Sequence, residues 1–205
     1  MGCFVIFSFT EDETKSELKL KINWTEEFTQ DFSFQNEWSY PFGVFLNEFN
    51  QPSCDAFCPW KADAMKESGK IKKDSLTSFY KLIDTTHINH SIKSDAWVYE
   101  YAGTDNMVFE KQNDGSILGF TICGGATHGS LNIQIKNNSI TSWISYNSVR
   151  PVDIEKFQLK SGDISLDKKL FDNGIIKAEF NLKFINTLNA KKEIYWNGLI
   201  YATYK

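Results

Sequence analysis

A chain of 205 residues that is 41% hydrophobic is long enough to bury a substantial core, and its 17 Phe, 8 Tyr and 6 Trp favour pleated, half-buried surfaces over long helices. A net charge of −4 with a single arginine, Arg150, argues against nucleic acid as a partner: phosphate binding needs a basic stripe, and the guanidinium fork is available at one place only. No stretch approaches the ~20 consecutive apolar residues with which a helix spans a bilayer.

The opening "MGCFVIFSFT" has an apolar run from Cys3 to Phe9 without the positive flank or cleavage pattern of a secretion signal, and it reads as a first strand. Met-Gly invites N-myristoylation, but Ile6 stands where that motif wants Ser or Thr. Acidity is concentrated in residues 1–50, where Glu11, Asp12, Glu13, Glu17, Glu26, Glu27, Asp31, Glu37 and Glu48 are set against Lys15, Lys19 and Lys21. The rest of the chain is near neutral.

"LKLKINW" alternates, with Leu18, Leu20, Ile22 and Trp24 on one face, which is the period of a half-buried strand. "FTQDFSF" at 28–34 is its expected hairpin partner. Residues 41–54 are broken by Pro41, Gly43, Pro52 and Ser53 and read as irregular. A two-helix insert is expected over 53–85. Pro59 suits a first helical position and Gly69 the position past the end, predicting a helix over Pro59–Ser68. A second runs from Asp74 as N-cap to Asp84, with Leu76, Phe79, Tyr80 and Ile83 on one stripe.

Cys54 and Cys58 precede the first helix at C-x3-C spacing. With His87 and His90 from "THINH" they supply ligand types suited to zinc, but not the compact loops of a zinc finger. A Cys54–Cys58 disulfide suits an exported protein, whereas two partly buried free thiols, the leading expectation, suit a cytosolic one.

From residue 96 the pattern is a β meander: "WVYEY", "MVFEKQ", "SILGFTI", "LNIQIK", "SITSWISY", "IEKFQLK", "IIKAEFNLKF" and "KEIYW". Turn signals stand at Asp114-Gly115, Asn137-Asn138, Asn173-Gly174 and Asn197-Gly198. "TICGGATHGS" places Cys123, His128 and Ser130 among three glycines, a conceivable nucleophile and base, although a structural loop explains it as well. Phosphate-loop, dinucleotide, G-x-S-x-G and H-E-x-x-H motifs are missing. The six tryptophans, spread over the whole chain, read as core anchors before ligand platforms.

The expected fold is mainly β, an antiparallel β-barrel or β-sandwich in a single domain of an acidic N-terminal β segment (1–50), the helical insert and the meander (96–205). The expected function is non-catalytic binding of a basic protein partner, as in an inhibitor or toxin-neutralising immunity protein, with Glu11, Asp12, Glu13, Glu17, Glu26 and Glu27 as the partner-facing acids. Calycin-like binding of a small apolar or sugar ligand inside the barrel is the alternative, and a hydrolase using Cys123 and His128 comes third. No cofactor is required beyond the zinc alternative. The compartment read from the chain is the cytoplasm, or an exported setting if a signal segment has been removed. Abundant Lys, Asn and Ile suggest an AT-rich, bacterial genome.

Overall fold

The computed structural model describes residues 17–40, 43–54, 58–122, 127–147 and 156–205. Among these, ten strands form one sheet: β1 (Leu20–Lys21), β2 (Asn23–Thr25), β3 (Ile92–Trp97), β4 (Asn106–Lys111), β5 (Ile117–Ile122), β6 (His128–Lys136), β7 (Ser139–Asn147), β8 (Lys156–Asp167), β9 (Ile175–Phe184) and β10 (Ile194–Thr203). Eight follow the order β4-β5-β6-β7-β8-β9-β10-β3 with every neighbour antiparallel. Of the two expected arrangements, barrel or sandwich, the sheet is the antiparallel barrel, nearly closed.

Closure depends on Ser91, just ahead of β3. Its N–H donates to Asp105 O (2.8 Å), its hydroxyl donates to Met107 O (2.9 Å) and accepts from Met107 N–H (2.7 Å), and its carbonyl accepts from Tyr201 N–H (2.9 Å). One residue thus joins β4 to β10. Further along the seam, Lys111 N–H donates to Lys205 O (2.8 Å) and Phe109 bridges to Tyr204. At the opposite end the link between β3 and β4 crosses to β6, where Gly129 N–H donates to Tyr101 O (3.0 Å).

The interior is filled by alternate side chains. Leu131, Ile133 and Ile135 of β6 point inward, as do Ala178, Phe180 and Leu182 of β9, and they meet Phe157, Phe184 and Trp196, all buried. Burying one such side chain contributes roughly 1.5–3 kcal/mol. Trp196 keeps its polar edge satisfied by donating Nε1–H to Ser94 Oγ (3.0 Å).

Several expectations are corrected. Ile22 and Trp24 do face inward while Lys21 and Asn23 are exposed, but the strand breaks at Ile22, whose N–H donates to Asn138 O (3.2 Å). Its halves pair with β7 (antiparallel) and β8 (parallel), not with residues 28–34. Extension fails there because the Asp31 carboxylate accepts from Ser33 N–H and Oγ–H (both 2.8 Å), turning the chain into the 3-10 helix Ser33–Asn36. The segment instead straps the outer face of β9, with Lys177 Nζ over Phe28 (4.9 Å) and Phe32 (4.8 Å).

The first predicted helix shortens to α1 (Trp60–Asp63). Ser68 (φ 52°) and Gly69 (φ 75°) form a two-residue turn that folds Lys66–Glu67 back on Lys70–Ile71, so Gly69 serves a hairpin and not a helix end. The second is α2 (Leu76–Leu82), preceded by the 3-10 turn Lys73–Ser75, and Asp74 does not cap it. Its stripe packs through Phe79 and Ile83 onto Cys54 and Ala62, a small core separate from the barrel's. Residues 44–46 and 52–54, expected to be irregular, pair as a short hairpin. α3 (Lys168–Asp172), which the pattern does not announce, joins β8 to β9, with Asp167 Oδ1 accepting from Leu170 N–H (2.9 Å) as N-cap. Asn197-Gly198 lies inside β10 and is no turn.

Asp114, in the β4–β5 turn, accepts from Lys136 Nζ (2.6 Å), from Ser116 Oγ–H (2.6 Å) and from Ser116 N–H (3.0 Å), which holds its carboxyl well below the usual range. A carboxyl depressed in the folded state contributes stability above its unfolded pKa and loses it as pH falls through the folded one. Asp114→Asn is therefore expected to flatten the loss of stability on acidification below about pH 4. Urea midpoints measured against pH check this, and acid limbs of equal steepness would contradict it.

Candidate binding groove

Trp38–Ser39 pairs antiparallel with Ile88–Asn89, in the register Trp38↔Asn89 and Ser39↔Ile88. Continued by one residue at either end, this register sets Tyr40 across from His87 and Glu37 across from His90. Opposed residues share a face. One face is aromatic: His87 stacks on Trp38 (3.6 Å between centroids, 11° between planes) and meets Tyr40 edge-on (5.5 Å). The other carries acid and imidazole. His90, its side chain 15% exposed, sets Nδ1 at 3.7 Å from Glu37 Oε2 and Nε2 at 3.9 Å from Asp105 Oδ2.

Between this ladder and the barrel seam lies an open groove of about 1140 Å³. Tyr40, Val44 and Ile88 give it an apolar wall, the residues of β4 give it a floor, and Asp105, Glu110 and Lys205 supply charge. Two lining carboxylates thus stand against one ammonium, and Glu37 backs His90 from beside the groove. Asn106 Oδ1 and His90 Nε2, both on the groove lining, are buried without a hydrogen-bond partner among the described residues. Such a group costs about 1–3 kcal/mol until a partner is found.

The sequence-predicted residues fall in several places. Cys54 and Cys58 are joined as a disulfide (Cα–Cα 5.2 Å), so they are neither free thiols nor ligands to zinc. His87 stacks on Trp38 and His90 faces carboxylates, and among the described residues no group of three or more His, Cys, Asp or Glu is arranged to hold a metal. C-x3-C spacing lets the sulfurs meet each other first. Cys123 lies outside the described residues, while His128 opens β6 opposite Asn147 and bridges to Tyr101, so their pairing has no described geometry.

Of the acidic candidates, Glu11, Asp12 and Glu13 also lie outside the described residues. Glu17 pairs with Lys156 (3.4 Å), and Glu26 and Glu27 are exposed beside β2. Composition located the acidity in the N-terminal quarter, but the groove draws Asp105 and Glu110 from β4 and its approach. The available signal was weak: "GTDN" reads as a turn, and Glu110 sits at ordinary solvent parity in its strand. Of the tryptophans, Trp196 is a core anchor, Trp24, Trp97 and Trp143 are half-buried, and Trp38 and Trp60 are exposed.

No family model, curated protein or solved structure matches this chain. No helix among the described residues is long and apolar enough to cross a membrane.

Proposed function

We propose that the protein is a non-catalytic protein-binding module, of the inhibitor or toxin-neutralising kind, that takes a basic segment of its partner in the groove at the barrel seam. The observation that carries this reading is the placement of the opening: it lies outside the barrel, under an excess of carboxylate, while the interior is filled by Phe157, Phe180, Phe184 and Trp196. A filled interior gives no support to a calycin-like ligand within it. Exposed ion pairs contribute only about 0.2–1 kcal/mol each, so the carboxylates act mainly by steering a cationic partner and fixing its register. The apolar wall of Tyr40, Val44 and Ile88 supplies the contact area. The disulfide favours an exported setting, where such bonds persist.

Fluorescence anisotropy with labelled oligolysine and oligoglutamate tests the reading. Oligolysine is expected to bind and to weaken as salt rises from about 0.02 to about 0.2 M, and Asp105→Lys with Glu110→Lys should cost it about tenfold or more. Equal binding of both peptides, or indifference to the double substitution, would sink it.

A further inference from the structure

The two sulfurs of the Cys54–Cys58 bond are not equivalent. Cys54 is 4% exposed and pairs with Val44 in the short hairpin, whereas Cys58 is only half-buried. Lys66, its side chain 17% exposed, donates Nζ–H to the carbonyl of Cys54 (2.7 Å), which fixes an ammonium at the backbone of the buried cysteine. Among the described residues the Asp63 carboxylate also stands at this ammonium, at 3.8 Å. In thiol–disulfide exchange the accessible sulfur is attacked, and the sulfur that leaves best is the one whose thiolate is stabilised.

We propose that Cys54–Cys58 is a site of thiol–disulfide exchange with a dithiol reductant, attacked at Cys58 and released at Cys54. The attacking thiolate forms a bond to Cys58 Sγ, the Cys58–Cys54 bond breaks, and its electron pair leaves on Sγ of Cys54, the residue whose carbonyl holds the Lys66 ammonium. The reductant's second thiol, on losing its proton, then displaces Cys58 as thiolate. The reductant ends as a cyclic disulfide, having supplied the two electrons that reduce the protein. Exchange bears on the groove because Val44 lines its wall and is held in register by Cys54. Among the described residues, the small core behind that wall buries Cys54, Ala62, Phe79 and Ile83. Reduction therefore loosens the wall, a consequence that rests on the groove being the partner site.

The experiment uses the full chain carrying Cys3→Ser and Cys123→Ser, with iodoacetamide trapping and intact mass as readout. No alkylation is expected before reductant and two alkylated sulfurs after dithiothreitol. Glutathione should leave its adduct on Cys58 by peptide mapping. Lys66→Met should slow reduction about 3- to 10-fold while Lys66→Arg keeps the rate, with circular dichroism confirming that both fold. Alkylation without reductant, an adduct on Cys54, or an unchanged rate in Lys66→Met would overturn the exchange site. Oligolysine should bind the reduced protein at least about threefold more weakly. Equal affinity in both redox states removes the link to the groove, whereas no binding in either state removes the groove reading and leaves exchange to its own measurements.

Discussion

Trp196→Ala is expected to destabilise the protein by about 3–5 kcal/mol, the range for removing a large aromatic from a packed core. The indole is wholly buried in the barrel interior, and its only polar atom is spent on Ser94 Oγ at 3.0 Å. Truncation empties the space between β3, β9 and β10 and strands the Ser94 hydroxyl. Trp60, 77% exposed at the start of α1, is the internal control, and Trp60→Ala should stay within about 0.5 kcal/mol of the unsubstituted chain. Equilibrium urea unfolding followed by circular dichroism measures both. A loss from Trp196→Ala no larger than that from Trp60→Ala would mean the interior is not packed as described.

Gly198→Val is expected to cost about 3 kcal/mol, against the direction of intrinsic preference. Valine suits strands, and in a free position of β10 it would be neutral or helpful. Here Gly198 pairs with Ser94, and a Cβ would run into the Lys93 carbonyl oxygen and come within 2.8 Å of Ser94 Cα. Both obstacles are backbone, so relief requires β3 to move away from β10. Gly115, at φ +79° with nothing within 4 Å of its added Cβ, separates the two uses of glycine: a side chain there meets conformational strain and no collision. If Gly198→Val unfolds at the same urea concentration as the unsubstituted chain, the close approach of β3 is wrong.

The same glycine shows where reading the chain reaches its limit. Asn-Gly is a strong hairpin signal, and Asn137-Asn138 does turn, with φ of 49° and 64°. Asn197-Gly198 carries a matching signal but is held extended by β9 on one side and β3 on the other, a tertiary demand that no local window contains. The strands of β9 were legible to the residue because Ile176, Ala178, Phe180, Leu182 and Phe184 alternate with polar neighbours. The pattern starts β3 five residues late, since its outward positions Lys93 and Asp95 lie in a stretch that also reads as loop. The site was less legible still. The pattern offers His90 only as one ligand of a zinc alternative, whereas its neighbours are carboxylates supplied by Glu37 and Asp105, which spacing along the chain cannot bring together.

Ser91 also marks the last step when the barrel forms. Strands β4 to β10 meet their neighbours across short connections, but β3 must find β10 across nearly half the chain, and loop-closure entropy makes that encounter the late one. The amide N–H groups of Met107 and Tyr201 donate to Ser91, one to its hydroxyl and the other to its carbonyl. Pulse labelling with deuterium at those two amides therefore times the sealing of the barrel, separately from the zipping of the hairpins that precedes it.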